Sequence, residues 1–233
     1  MTGFGSGRSG TSRMLASKSP SGRRSLIGGV GRPVPVVAGV IVIVLGVLVL
    51  AGWSLGSGLL RSVIPGLPLM KANTAVALAC AGVAVLCLGP GTNGLTRRIG
   101  WLLALLVALF GVLVIWEYVV GGVGIDQVLF RDGAGSFPGR PSPETALALI
   151  ALGSSLAAVD GRGRWRRAHV VLLGISATVV LFGVVGDIYG VDYLRGGSRI
   201  SGIGVNTLVA LVLLTVRGRV SACRGWGGGL VAG

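Results

Sequence analysis

Six stretches of the chain carry no Asp, Glu, Lys or Arg: residues 33–60, 72–96, 99–116, 145–159, 168–186 and 200–216. Uncharged apolar runs of this length predict helices that cross a bilayer, six in number. The even-numbered spans are short against the roughly 20 residues a helix needs to cross about 30 Å of hydrocarbon. They must borrow flanking loop residues or sit where protein packing thins the lipid. The expected fold class is all-α, a polytopic membrane helix bundle.

The pattern also repeats. A long apolar helix ends in Gly, a partly apolar loop follows, and a polar-Thr pair opens a shorter apolar helix. The pairs are Asn73-Thr74, Glu144-Thr145 and Asn206-Thr207, and a small residue follows nine positions after each polar one, at Gly82, Gly153 and Thr215. The long helices agree as well. Gly46-Val-Leu-Val-Leu-Ala-Gly-Trp-Ser-Leu-Gly56 and Gly111-Val-Leu-Val-Ile-Trp-Glu-Tyr-Val-Val-Gly121 share spacing and most of their apolar character, while the third copy, ending at Gly190, is looser. Three repeated hairpins are expected.

Composition supports lipid over water as the surrounding solvent. Hydrophobic residues make up 52% and charged residues 12% of the 233, with a mean hydropathy of +0.85. A soluble fold would leave much of that apolar surface exposed. The net charge of +14 would suggest nucleic acid in a soluble chain, but here it sorts by loop. With the N-terminus inside, cytoplasmic segments hold fifteen Lys and Arg against Asp160 alone, and the outer segments balance six against six. That distribution obeys the positive-inside rule and places both termini in the cytoplasm of a multi-pass cell-membrane protein. No nucleic-acid partner is expected, and the basic tails should be drawn to anionic headgroups.

Residues 1–33 are rich in Ser, Gly and Arg and predict a disordered basic cytoplasmic tail, with Met14 an alternative start. Residues 34–216 form the six-span domain and 217–233 a short cytoplasmic tail. The first span is read as an uncleaved anchor, its apolar run being too long for a signal peptide. The first outer loop, residues 56–72, is too apolar for free solvation and should fold back on the interface. Pro65 and Pro68 forbid one continuous helix through it. Trp53, Trp101, Trp116, Tyr118, Trp165, Tyr189 and Tyr193 fall near predicted span ends, as in an aromatic belt. Gly39, Gly46, Gly52, Gly82, Gly111, Gly153, Gly174 and Gly183 would let helices approach closely. Cys80 and Cys87 share one face of the second span, Cys223 lies in the tail, and all three read as buried apolar thiols.

No catalytic constellation, phosphate loop or metal-ligand spacing is visible, so neither an enzyme nor a cofactor is expected. His169 reads as a polar marker at the start of the fifth span. Asn73, Glu144 and Asn206 stand where a side chain caps a helix N-terminus. The functional alternative has the three N-termini framing a pocket for a small ligand, with Glu117, Tyr118, Asp126, Asp187, Asp192 and Tyr193 as further polar walls. Ion pairing of these acids with Arg131, Arg140, Arg195 and Arg199 accounts for them as well.

Three strings carry a family likeness. Ile64-Pro-Gly-Leu-Pro-Leu-Met-Lys-Ala-Asn-Thr-Ala75, Glu117-Tyr-Val-Val-Gly-Gly-Val-Gly-Ile-Asp-Gln-Val-Leu-Phe-Arg-Asp132 and Phe137-Pro-Gly-Arg-Pro-Ser-Pro-Glu-Thr-Ala-Leu-Ala148 resemble the N-terminal multi-pass membrane region of bacterial sensor proteins. These are chiefly histidine kinases with PAS domains and diguanylate cyclases. The resemblance covers roughly residues 36–216 and implies an input module that feeds a cytoplasmic enzyme. Glu144 stands where the family's second copy usually has Asn. Nothing resembling a PAS, kinase or cyclase domain follows Val216, so the expectation is either a truncated sensor or output through another cytoplasmic or membrane signalling protein. Self-association into a homo-oligomer is expected, and a small-solute transporter or channel-like subunit is the alternative function, disfavoured because the acids lie near span ends.

Overall fold

A computed structural model of the chain describes residues 33–61, 70–121, 139–189, 207 and 209–214. Every element among them is helical: α1 (Pro33–Ser54), α2 (Gly58–Arg61), α3 (Ala72–Cys87), α4 (Gly94–Val120), α5 (Pro143–Ala157) and α6 (Arg164–Tyr189), with a further helical stretch at residues 209–214. Among the described residues three stretches are long and apolar enough to cross a membrane: Val36–Ser54, Gly94–Val120 and Arg164–Phe182. At 1.5 Å per residue α4 is about 40 Å long, whereas α3 and α5 are only about 24 and 22 Å.

The long and short helices occupy different places. α3 and α5 are buried on nearly all sides and supply half of the core, through residues such as Leu78, Ala81, Val85, Leu149 and Leu152. α1 and α4 each bury one stripe and turn large apolar side chains outward on the other faces, among them Val40, Val44, Val47, Leu102, Leu106 and Leu109. A helix that is apolar all round yet buried on one stripe alone has no place in water and fits a bilayer. α6 follows the same rule, burying His169, Leu173, Ser176 and Val180 and exposing Val171, Ile175, Leu181 and Phe182.

α4 outruns its uncharged core at both ends. It takes in Arg97 and Arg98 because Asn93 caps it, its side chain accepting the Thr96 N–H at 2.8 Å. It continues through Glu117 to stop at Gly121, whose φ of +81° only glycine adopts freely. Successive helices pack antiparallel, α1 on α3, α3 on α4, α4 on α5 and α5 on α6. Short turns join α3 to α4 and α5 to α6, and the longer connections lie at the opposite, long-loop end.

Glycine sets the closest approaches. A Cβ on Gly46 would lie 2.8 Å from the Ala75 carbonyl, and one on Gly111 2.6 Å from the equivalent Ala146 carbonyl. On the short helices a Cβ on Gly82 would lie 2.9 Å from the Gly39 carbonyl, and one on Gly153 2.6 Å from the Ala104 carbonyl. The α1–α3 and α4–α5 pairs thus make contact at matching positions, with no room for a side chain between their backbones.

Candidate functional site

At the long-loop end α1 and α4 are each tied to the residues that lead into their short partners, α3 and α5. Tyr118 donates its hydroxyl to the Pro141 carbonyl at 2.9 Å, and Trp53, at the matching position of α1, donates its indole N–H to the Met70 carbonyl at 3.0 Å. An arginine lies over each ring, Arg140 at 5.0 Å from the Tyr118 centroid and Arg61 at 4.4 Å from that of Trp53. Trp53 is buried, so it serves as a helix tie and not as part of an aromatic belt. Trp101, Trp116 and Trp165 are exposed, as a belt requires.

The α4–α5 tie contains a buried charge pair. Glu117 is 1% exposed and Arg140 9% at the side chain, with Arg140 Nε 3.8 Å from Glu117 Oε2. Arg140 also donates from Nη1 to the Glu117 carbonyl at 3.1 Å. One guanidinium thereby meets both the side chain and the backbone of α4's last turn, where the helix dipole favours a cation.

The capping roles differ from those read in the sequence. Ser142 caps α5, its hydroxyl accepting the Thr145 N–H at 3.2 Å and pairing with the Thr145 hydroxyl at 2.9 Å. Pro143 fills the first helical position, where a missing N–H costs nothing. Glu144 is therefore an acid of the first turn and not the cap. Asn73 is likewise the second residue of α3, buried, with Lys71 at the cap position and no capping bond from its side chain. A Ser-Pro start was the signal that could have located the α5 cap.

Of the candidate residues, the structure brings Glu117 and Tyr118 together with Arg140, and places Glu144 just past Ser142, in the first turn of α5. Asn73 holds the equivalent position on α3. Asp187 falls in the last turn of α6 by its backbone, its side chain outside the described residues. Asp126, Asp192 and Asn206 also lie outside them, though Thr207 is buried like Thr74 and Thr145. Among the described residues one buried side-chain atom at this end lacks a hydrogen-bond partner, Glu144 Oε2. It is an acceptor with capacity for an N–H or O–H donor. Among the described residues no three His, Cys, Asp or Glu side chains gather as metal ligands.

At the short-turn end His169 is buried, contrary to its reading as a polar marker. Its Nδ1 lies 2.9 Å from the Ser155 carbonyl and 2.8 Å from the Ser155 hydroxyl, which also reaches the His169 carbonyl at 3.2 Å. Arg97 of α4 and Asp160 of the α5–α6 turn form an ion pair there. Comparison of the chain with family profiles, curated proteins and solved structures finds no match.

Proposed function

We propose that the chain is the membrane-embedded sensory input module of a bacterial signal-transduction protein, of the kind that precedes histidine kinases and diguanylate cyclases. It has six spans in three repeated hairpins, with both termini cytoplasmic. The family-like strings, the charge sorting and the matched glycine contacts of the first two hairpins support this reading.

One observation carries the site. A buried ion pair and an open carboxylate oxygen lie where α4 meets α5, and ionisable groups at such depth are retained for a role or a partner. The ligand that suits Glu144 is a small molecule bearing N–H or O–H donors, with Glu117, Tyr118 and Asn73 as further candidate polar walls. Binding favours one packing of the hairpins over another, and the last span passes the shift to a cytoplasmic enzyme.

The test is disulfide crosslinking between cysteines placed on α1 and within residues 209–214, across changes of osmolarity, external pH and added small amines. A stimulus-dependent crosslinking yield is expected, and identical yields under every condition count against the module. Topology reporters fused after Gly89 or Arg164 should report a cytoplasmic location.

A further inference from the structure

Three of the four buried side-chain atoms that lack a hydrogen-bond partner among the described residues lie along α6: Arg166 Nη2, His169 Nε2 and Ser176 Oγ. Arg166 and His169 are three residues apart, so their side chains are neighbours on one helix face. The His169 ring is fixed, with Nδ1 turned toward the last turn of α5 and Nε2 on the far side of the ring. When the Ser155 hydroxyl donates to Nδ1 at 2.8 Å, the ring proton stands on Nε2, a donor that has no acceptor among the described residues.

The charge around these two atoms is one-sided. Asp160, the acid of the adjoining turn, is engaged by Arg97, while Arg162, Arg164 and Arg167 stand exposed nearby in sequence. A guanidinium nitrogen sealed from water without a counter-charge is costly, and an anion removes the cost. The first turn of a long helix adds its positive end. Trp165, 55% exposed beside these arginines, suits the headgroup level of a bilayer.

We propose that Arg166 and His169 hold a phosphate-bearing anion at the short-turn end of α5 and α6, either the phosphate of an anionic lipid headgroup or a free phosphate. A tetrahedral oxyanion accepts from an arginine N–H and an imidazole N–H at once through different oxygens. Ser155 is the positioning residue, since it sets the direction of Nε2. Ser176 lies two further turns along the helix and is not part of the site.

The experiment uses the full chain, delipidated in detergent and titrated with two probes, short-chain phosphatidylglycerol and inorganic phosphate, read by ³¹P line broadening. Wild type should bind about one phosphate per chain, with Arg166→Gln and His169→Phe each weakening it by about tenfold or more, as loss of a charge-assisted bond does. Arg98→Gln removes the same charge from an exposed position on α4 and should change affinity by no more than about twofold. Binding of phosphatidylglycerol alone identifies the lipid as ligand, and competition by inorganic phosphate identifies the free ion. Failure of wild type to bind either probe overturns the site, even should the Arg166 variant not fold. An equal loss in Arg98→Gln and Arg166→Gln also overturns it, since that is general surface attraction.

Discussion

The Tyr118 hydroxyl and the Pro141 carbonyl are joined at 2.9 Å, which fixes the end of α4 against the residue just ahead of the α5 cap. Trp53 and Met70 make the same join between α1 and α3 at 3.0 Å. Phenol and indole are different donors, but both set a polar tip at the rim of an apolar ring, and that combination suits this depth.

Tyr118→Phe keeps the ring under Arg140 and removes the hydroxyl that reaches the Pro141 carbonyl. A loss of about 1 kcal/mol is expected, a typical net hydrogen-bond contribution, measured by denaturation in mixed micelles. Trp53→Phe should cost more, because it also removes buried ring area.

Gly111→Ala and Gly153→Ala force a methyl to within 2.6 Å of backbone atoms on the facing helix. Backbone gives way less readily than a side-chain tip, so each should destabilise by about 1–3 kcal/mol. A methyl on Gly174 would meet nothing within 4 Å, and Gly174→Ala should stabilise α6 by about 0.5–1 kcal/mol through helix propensity. Opposite signs in the same denaturation assay check the contact geometry.

Arg140→Met leaves Glu117, 1% exposed at the side chain, without its cation and should cost about 3 kcal/mol. Replacing Glu117 by Gln in the same chain should restore much of that loss. A double-mutant cycle in the same assay measures the coupling, and additive losses would show that the pair does not act as a unit.

Ser142→Ala and Asn93→Ala each remove a capping acceptor, for Thr145 N–H and Thr96 N–H respectively. Each should lower stability by about 1 kcal/mol. Glu144→Gln keeps the cap and should change stability less than Ser142→Ala.

Much of the fold was legible in residue order because a long uncharged apolar run is a property each segment carries by itself. Apolar length alone located α1, α3, α4, α5 and α6, and the spacing of Gly46 with Gly111 and of Gly82 with Gly153 anticipated where backbones would touch. Helix ends were less legible, since an end depends on local hydrogen bonds that hydropathy ignores. Asn93 drew α4 back over two arginines, and Ser142 took the cap assigned to Glu144.

Side-chain partners belonged to the tertiary structure. Sequence offered Glu117 several arginines and gave no ground for choosing Arg140. Nor did it connect His169 with Ser155, because burial and pairing arise only when two antiparallel helices fix which faces meet. The sequence by itself determined an apolar helical chain with small residues at regular places, properties that each segment carries alone. Which polar groups became partners, and which were left with open valences at Glu144, Arg166 and His169, was decided by packing, since a hydrogen bond requires two groups placed within about 3 Å of one another.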